Sequence, residues 1–408
     1  MTKTYREKLL TAVKELNIEL PKGKYIKNDD LKNILIKYLA GNGKTVVTTD
    51  TLDTKTEIIN NTNKVNIKKC IYPKTKKLVA IGDIHGDLSV AIKSLKLANV
   101  ISLNTPNNTT NISNIKWTGG STIVVQLGDQ IDRVRPSKLV NDLCQENDNQ
   151  LNQDEGSDLK IIFLFEKLHE QAIKQGGALF SILGNHELMN VDGDFRYVSP
   201  KEFREFGTFF KEQETKSPYP YGYNTRKRVF SPGGSLSKKL AQSRYSILQV
   251  GSWVFVHGGM TPEVANDYTL DQINGIIHKW LMGNKSTLLM EHVNKLYHND
   301  NDSYSPFWSR TFSDIDEWNS LSEQNFNNTL NILNLKNKRD AKTEIKGMVV
   351  GHSPQFMYNK GLNSACKNKL WRVDVGMSKA FGMDKNTNRK VQILVIENDS
   401  QFKILKEQ

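Results

Sequence analysis

The sequence predicts an α/β protein that carries a small helical module at its N-terminal side. Short apolar runs at residues 78–81, 122–126 and 178–183 alternate with amphipathic segments at 89–98 and 159–175. This order is typical of strand–helix–strand units. Each of these runs is followed by glycine and then by acidic, amide or imidazole side chains. The predicted strand ends therefore share one kind of chemistry.

The first seventy residues differ from the rest in their pattern of apolar and polar residues. Residues 4–40 have apolar side chains at helical spacing in two stretches, joined near Pro21, and Asn28 begins a polar cap for the second stretch. We predict a helical module over residues 1–43, a polar linker over 44–70 and one catalytic domain over 71–408. The module resembles helix-loop-helix units of the SAP type that bind nucleic acid. A protein-docking or purely structural role is the alternative.

The remaining segments continue the α/β pattern. Residues 104–120 and 143–157 are polar and predict exposed loops. Pro136 begins a stretch that we interpret as helical, and residues 192–234 as irregular. Further patterns predict helices over 271–297 and 325–337, and strands in 246–256, 347–350, 391–396 and 402–405.

Composition restricts the function classes. With 38% hydrophobic and 25% charged residues, the 408-residue chain fits a globular protein. The formal net charge of +12 suggests attraction to an acidic partner, such as a phosphorylated substrate, nucleic acid or an anionic membrane. The alternative is that the lysines cover solvated helix faces, because the charge is spread along the chain.

The cysteines and the N-terminus favour an intracellular, cytoplasmic protein. Cys70, Cys144 and Cys366 are few and scattered, which argues against a disulfide framework or a thiolate zinc site. The chain contains no apolar run of about 18 residues, the length of a spanning helix. Its first residues are charged and lack an apolar signal core. We therefore expect no membrane partner.

Five predicted strand ends carry side chains that bind metals. They are Asp83 and His85, Asp129, Asn185 and His186, His257, and His352. Because ligands collect at the carboxyl ends of strands in α/β sheets, we expect these side chains to converge. Oxygen and imidazole donors without thiolate suit two divalent ions such as manganese, iron or zinc. Asp129 can bridge two cations, and Arg133 can bind a phosphate through two hydrogen bonds.

These motifs resemble those of a known family. The motifs are Gly82-Asp83-Ile84-His85-Gly86, Gly128-Asp129-Gln130-Ile131-Asp132-Arg133, Gly184-Asn185-His186-Glu187, His257-Gly258-Gly259 and Gly351-His352. Their order is similar to the signature of the calcineurin-like metallophosphoesterases, and more narrowly of the PPP phosphoprotein phosphatases. The segment from Trp371 to Ser378 resembles the bacterial-type branch of Shewanella-like phosphatases. The resemblance covers about residues 71–396 and implies a sandwich of two β-sheets flanked by helices.

The resemblance also implies a dinuclear metal centre. Asp83, His85 and Asp129 would bind one divalent ion. Asp129 would bridge to a second ion that is held by Asn185, His257 and His352. A hydroxide shared by the two ions would be the nucleophile.

Four further residues receive catalytic roles from the resemblance. His186 would protonate the leaving oxygen and Asp132 would orient its imidazole, since a departing alkoxide needs a proton. Arg133 and Arg310 would bind phosphate oxygens. The residue after Arg133 is valine, where the family usually has glycine, and Ser353 replaces a threonine.

The leading hypothesis is a metal-dependent phosphomonoesterase that acts on phosphoprotein or phosphopeptide, at serine and threonine or at tyrosine. The aromatic and basic segment 203–228 would frame a peptide groove or form a packed lid. The alternative within enzymes is hydrolysis of a small phosphate such as a dinucleoside polyphosphate. The alternative from another class is a nucleic-acid or protein scaffold with an idle metal site.

Overall fold

The computed structural model describes Leu10 and residues 69–137, 139–140, 142–144, 154–213, 217–299, 301–314, 319–337, 344–382 and 386–408. Apart from Leu10, Lys69 and Cys70, the predicted module over 1–43 and linker over 44–70 fall outside the described residues. These assignments stay predictions. The domain described below lies within residues 67–408.

The first sheet has the strand order β14-β13-β2-β3-β6-β7. Strands β2, β3, β6 and β7 run parallel, and β13 and β14 complete the sheet as antiparallel neighbours. The central strands consist almost entirely of buried apolar residues, as expected of parallel strands that are covered on both faces. Their bounds are β2 Lys77–Ile81, β3 Ile123–Gln126, β6 Ala178–Ile182, β7 Arg244–Tyr245, β13 Gln392–Glu397 and β14 Gln401–Lys406.

The second sheet has the order β1-β8-β9-β10-β12-β11. Strands β8 and β9 lie in the region predicted to form strands, 246–256, and pair antiparallel around Gly251, with Val250 opposite Trp253. Strand β10 lies parallel to both β9 and β12. The bounds are β1 Ile71–Tyr72, β8 Ile247–Val250, β9 Trp253–Val256, β10 Gly347–Val350, β11 Asn363–Ala365 and β12 Leu370–Arg372.

Helices flank the two sheets, and one buried apolar cluster includes residues of both sheets, such as Val124 and Phe255. This arrangement confirms the predicted α/β class of two sheets with flanking helices. No helix in the described ranges has both the length and the apolar character needed to cross a membrane. The helix bounds are α1 Leu88–Leu97, α2 Asp158–Ile173, α3 Asn185–Asp192, α4 Pro200–Phe209, α5 Tyr223–Phe230, α6 Ser235–Ser243, α7 Pro262–Asp267, α8 Leu270–Leu281, α9 Thr287–Leu296 and α10 Ser320–Asn337.

Three local predictions were wrong. The stretch after Pro136 forms an antiparallel pair, β4 Leu139–Val140 with β5 Leu143–Cys144, instead of a helix. In the predicted exposed loop 143–157, the described residues before α2 do not stay exposed, because Asp154 and Ser157 are buried.

The segment 192–234 is not irregular, since it contains α4 and α5. Ser199 and Glu202 form a reciprocal capping box that begins α4. Phe203, Phe206 and Arg226 of this segment are buried, so these three side chains pack inside the domain and do not frame an open groove.

Candidate functional site

The predicted side chains meet where the strands of both sheets end. Strands β2 and β3 of the first sheet and β9 and β10 of the second each continue into a loop that carries part of the cluster, and β6 leads into the first turn of α3, which carries Asn185 and His186. All six predicted metal ligands are buried; they are Asp83, His85, Asp129, Asn185, His257 and His352. The structure therefore brings together residues that are up to 269 positions apart.

Asp129 lies at the centre of the cluster. Its Oδ2 is 3.3 Å from His257 Nε2, 3.7 Å from His85 Nε2 and 3.8 Å from His186 Nε2. Its Oδ1 accepts a hydrogen bond from the backbone N–H of His186 at 3.0 Å. A carboxylate with imidazoles on several sides is well placed to contact two cations at once.

One group of donors lies around His85. His85 Nε2 is 4.0 Å from Asp83 Oδ2, and donor atoms of His85, Asp129 and His186 lie within 4.8 Å of one another. The carboxylate of Asp83 also accepts the backbone N–H of His352 at 3.1 Å. Asp83 therefore lies between the two groups of donors.

The second group contains Asp129, Asn185, His257 and His352. His257 Nδ1 donates to the carbonyl of Leu127 at 2.6 Å, which leaves Nε2 as the coordinating nitrogen, 2.9 Å from Asn185 Oδ1. Donor atoms of Asp129, His257 and His352 lie within 4.8 Å of one another. His352 Nε2 is buried and has no hydrogen-bond partner among the described residues. Such an atom fits a metal ligand.

Several of these loops have unusual backbone geometry. His85, Asp129, Asp132 and His352 have φ values of 44°, 49°, 72° and 68°, a region that non-glycine residues seldom adopt. A Cβ at Gly184 would collide with Asp129 Oδ1, so only glycine leaves room for that carboxylate. The strained backbone conformations of these loops direct their side chains toward one point.

Three members of the cluster, His85, His352 and Asp129, have pKa shifts that favour their metal-binding forms. Burial, with added repulsion from Arg135, holds the pKa of His85 well below its usual value, and burial likewise lowers the pKa of His352. Both imidazoles are therefore neutral, the form that binds metals. Burial would raise the pKa of the Asp129 carboxyl, but His257 and His186 more than offset this, so that it is ionised. The residues present fit two divalent cations.

The Nδ1 side of the His186 ring makes a second set of contacts. Its Nδ1 is 2.8 Å from Asp132 Oδ2, as the predicted orienting role requires. Asn190 Nδ2 donates to Asp132 Oδ1 at 2.9 Å, and Arg226 Nη2 donates to the same oxygen at 3.1 Å. Asp132 is fully buried, and these donors stabilise its negative charge.

The two predicted arginines and one further arginine lie near the cluster. Arg310 is exposed at the second group, where its Nη1 donates to Ser353 Oγ at 3.3 Å. Arg133 is 2% exposed, and its charge acts on the carboxyl of Glu155. Arg135, which the sequence analysis missed, places Nη2 2.9 Å from His85 Nε2, between the rings of Tyr197 and Phe381. Its only sequence signal is its position two residues after Arg133.

Two acids near the cluster were also missed as functional residues. Glu187 accepts the backbone N–H groups of Asp129 at 3.0 Å and of Gln130 and Gly184 at 2.7 Å each. It therefore fixes the loop that presents Asp129, and burial raises its pKa to about 7. Asp374, at the end of β12, is buried beside Asp83, and burial raises its pKa to about 6.

A pair of buried carboxyl groups lies behind Asp132. Asp158 and Glu202 are fully buried and hydrogen-bonded to each other. Burial and the charge of Asp158 raise the pKa of Glu202 well above its usual value. The pair therefore holds a proton that the unfolded chain would release near neutral pH.

We expect the Glu202→Gln variant to lose less stability than the natural chain as the pH rises. In the natural chain the stability from this protonated pair is complete below the unfolded pKa of Glu202, 4.5. It is lost as the pH rises through the higher folded value. Glutamine keeps the bond to Ser199 N–H and needs no proton. Thermal unfolding should show that the variant's Tm falls less than that of the natural chain above about pH 5.

The control for this prediction is Glu263→Gln, which changes an exposed glutamate. That variant should keep the pH dependence of the natural chain. Parallel Tm curves for Glu202→Gln and the natural chain would contradict the shared proton.

Comparisons with known proteins agree with this geometry. Residues 76–356 match the family model described as calcineurin-like phosphoesterase. The chain is 30% identical over 364 residues to Shewanella-like protein phosphatase 2 of Arabidopsis thaliana, covering 82% of this chain and 78% of that protein. It is 36% identical over 261 residues to the uncharacterized protein R398 of Acanthamoeba polyphaga mimivirus, covering 60% and 98% of the two chains.

Among solved structures, the chain resembles a cold-active protein-tyrosine phosphatase of a psychrophilic Shewanella species. The TM-score is 0.53 at 22% sequence identity, and the match covers 83% of each chain. At this identity the similarity concerns the fold.

Proposed function

Because the chain belongs to the calcineurin-like phosphoesterase family, we propose that it removes phosphoryl groups from phosphorylated proteins, at serine and threonine or at tyrosine. Family membership confirms the resemblance noted from the motifs, and with it the prediction of a phosphoester hydrolase. The observation that carries the proposal is the convergence of five other buried candidate metal ligands on Asp129. The similarity to Shewanella-like protein phosphatases supports a protein substrate.

The residues present would hold two divalent cations, which we propose to be manganese, iron or zinc. Asp83, His85 and Asp129 would bind the first, and Asp129, Asn185, His257 and His352 the second. Such ions, when bound, polarise the phosphoryl group and lower the pKa of water toward neutrality.

The other residues act on the substrate. His186 points Nε2 toward the cluster, 3.8 Å from Asp129 Oδ2, and gives its proton to the leaving oxygen. Asp132 accepts the hydrogen bond from His186 Nδ1–H and stabilises the imidazolium form, in which Nε2 carries the second proton, the one given to the leaving oxygen. Arg310 and Arg135 bind phosphate oxygens, since their guanidinium groups lie beside Ser353 and His85. The phosphate role that the resemblance gave Arg133 stays a prediction.

The test is hydrolysis of phosphoserine, phosphothreonine and phosphotyrosine peptides in the presence of each metal, compared with diadenosine tetraphosphate. Turnover of phosphopeptides supports the proposal. Turnover of diadenosine tetraphosphate alone would replace it with the small-phosphate alternative.

A second experiment tests the scaffold alternative. Salt-dependent binding of DNA or RNA by the intact chain, lost when about the first 45 residues are deleted, would support recruitment of nucleic acid. Metal-dependent hydrolysis by the same preparation would exclude an idle site. The contacts of the N-terminal module and the cytoplasmic location stay predictions.

Arg135→Ala is expected to weaken phosphate binding. Hydrogen bonds to charged groups contribute about 1.5–3 kcal/mol, so KM for a phosphopeptide and Ki for inorganic phosphate should each rise by about 10–100-fold. Inhibition kinetics with inorganic phosphate measures the change.

Two comparisons accompany this variant. Arg196→Ala removes a partly exposed arginine that pairs with Asp194 and should change neither constant. Arg133→Ala decides the earlier prediction: a similar rise in Ki would give Arg133 the phosphate role as well. An unchanged Ki for Arg135→Ala would contradict its assignment.

A further inference from the structure

A network of hydrogen bonds extends from His186 into the helices behind it. Asp132 Oδ2 accepts from His186 Nδ1, and Asp132 Oδ1 accepts from Asn190 and from Arg226. Asn190 lies on α3, one helical turn after His186, whose carbonyl it also contacts at 2.9 Å. Arg226 is distant in sequence and lies on α5. The network therefore connects the end of β6 with a helix that contributes no metal ligand.

Arg226 is held in position by hydrogen bonds from Nε and Nη2 and by aromatic rings. Its side chain is fully buried. Nε donates to Asn190 Oδ1 at 2.7 Å, and Nη2 donates to Asp158 Oδ2 at 2.7 Å as well as to Asp132. The rings of Phe206 and Phe230 lie 4.5 Å and 5.3 Å from the guanidinium carbon. A planar group with several fixed acceptors and aromatic neighbours has little freedom to rotate.

Charge balance gives Arg226 a second effect. Three buried carboxyl groups, Asp132, Asp158 and Glu202, lie around this one cation. Because Asp158 and Glu202 share a proton, they carry one negative charge between them. The positive charge of Arg226 stabilises this charge and that of the Asp132 carboxylate. Without it, Asp132 would be a buried carboxylate supported only by His186 and Asn190, and such a group is strongly destabilised.

We infer that Arg226 is a positioning residue for the hydrolysis: it fixes the Asp132 carboxylate and, through it, the orientation of the His186 imidazole. This inference rests on the proposed role of His186 as the proton donor. Arg226 touches neither the cluster nor the substrate side of His186. Its effect should therefore appear in proton donation to the leaving group and not in phosphate binding.

The choice of leaving group separates this role from a merely structural one. p-Nitrophenolate leaves readily without a proton, whereas phenolate depends more on the donor. The variant Arg226→Met keeps the length and apolar stem of the side chain but removes its hydrogen bonds. We expect kcat/KM for phenyl phosphate to fall by about 10–100-fold, the usual effect of losing a supporting hydrogen bond behind an active-site group. For p-nitrophenyl phosphate we expect a fall of less than about threefold, and Ki for inorganic phosphate should not change.

Arg244→Met is the matched control. Arg244 is also a buried arginine, and its Nη2 donates to Gln130 Oε1 at 3.1 Å and to the carbonyl of Ile162 at 3.2 Å. None of its hydrogen bonds within the described residues goes to Asp132. This variant should lose stability in thermal unfolding, as Arg226→Met does. Its ratio of kcat/KM for phenyl phosphate to kcat/KM for p-nitrophenyl phosphate should nevertheless equal that of the natural chain.

A second variant and a second readout complete the test. Arg226→Lys keeps the charge but cannot bridge three acceptors, so its rate ratio should lie between those of the natural chain and Arg226→Met. If Arg226→Met does not fold, the rate ratio of Arg226→Lys tests the positioning role of Arg226 by itself. In the proton NMR spectrum of the natural chain, the His186 Nδ1–H should give a far-downfield signal, which both variants shift or lose.

The outcomes distinguish two failures. If the natural chain hydrolyses neither aryl phosphate, the proposed function fails. If it hydrolyses both, and the Arg226 variants slow them equally or leave the Nδ1–H signal unchanged, the positioning role alone is overturned.

Discussion

Replacing Asp129 with asparagine is expected to abolish hydrolysis, with the largest effect of any single substitution in the chain. Asp129 Oδ2 lies within 3.8 Å of three imidazoles, and the carboxylate is shared by both predicted metal-binding groups. Asparagine fills the same space but carries no charge and can direct only one oxygen at a cation. Losing several kcal/mol of electrostatic stabilisation corresponds to a fall in kcat/KM of about a thousandfold or more.

The measurement is turnover of p-nitrophenyl phosphate with manganese, together with the metal content of the purified protein. Metal content should fall with activity, because we propose that this carboxylate binds both ions. Asp192→Asn is the matched control: Asp192 is about half exposed and pairs with His298 on the surface. Full activity in Asp129→Asn at unchanged metal content would remove the basis of the proposed site.

His186→Asn is expected to have the second largest effect. Removing a general acid usually lowers the rate by about 10²–10⁴-fold, and the loss should fall on kcat with little change in KM. The physical reason is that the leaving oxygen develops negative charge and needs a proton, which we propose His186 donates. The loss should be greater for phosphoserine peptides than for p-nitrophenyl phosphate, because an alkoxide is the poorer leaving group.

His298→Asn serves as the control, since His298 is an exposed histidine on the surface. It should retain the activity of the natural chain on every substrate. A uniform loss on all substrates in His186→Asn, accompanied by loss of bound metal, would assign His186 to metal binding. The closeness of His85, Asp129 and His186 makes that outcome a real alternative.

Much of the strand framework could be predicted from sequence. The runs at 78–81 and 347–350 are apolar, short and bounded by glycine, and the structure has strands at Lys77–Ile81 and Gly347–Val350. The helices α4 and α5 were missed although a signal was present. Ser199, Pro200 and Glu202 form the start pattern of a helix, and Phe203, Phe206 and Phe210 follow at helical spacing. The many aromatic and glycine residues nearby obscured that pattern.

The sequence by itself determined which side chains form the metal-binding cluster. Each of them lies one to four residues after the end of a strand, and the parallel pairing of strands brings such positions to one edge. Only the tertiary structure decided which arginines contact His85 and Asp132. Arg135 Nη2 lies 2.9 Å from His85 Nε2, and Arg226 reaches Asp132 from 94 residues away. The reason is that a side chain's direction depends on local backbone angles, such as the positive φ of Asp132, and on packing partners that are remote in the chain.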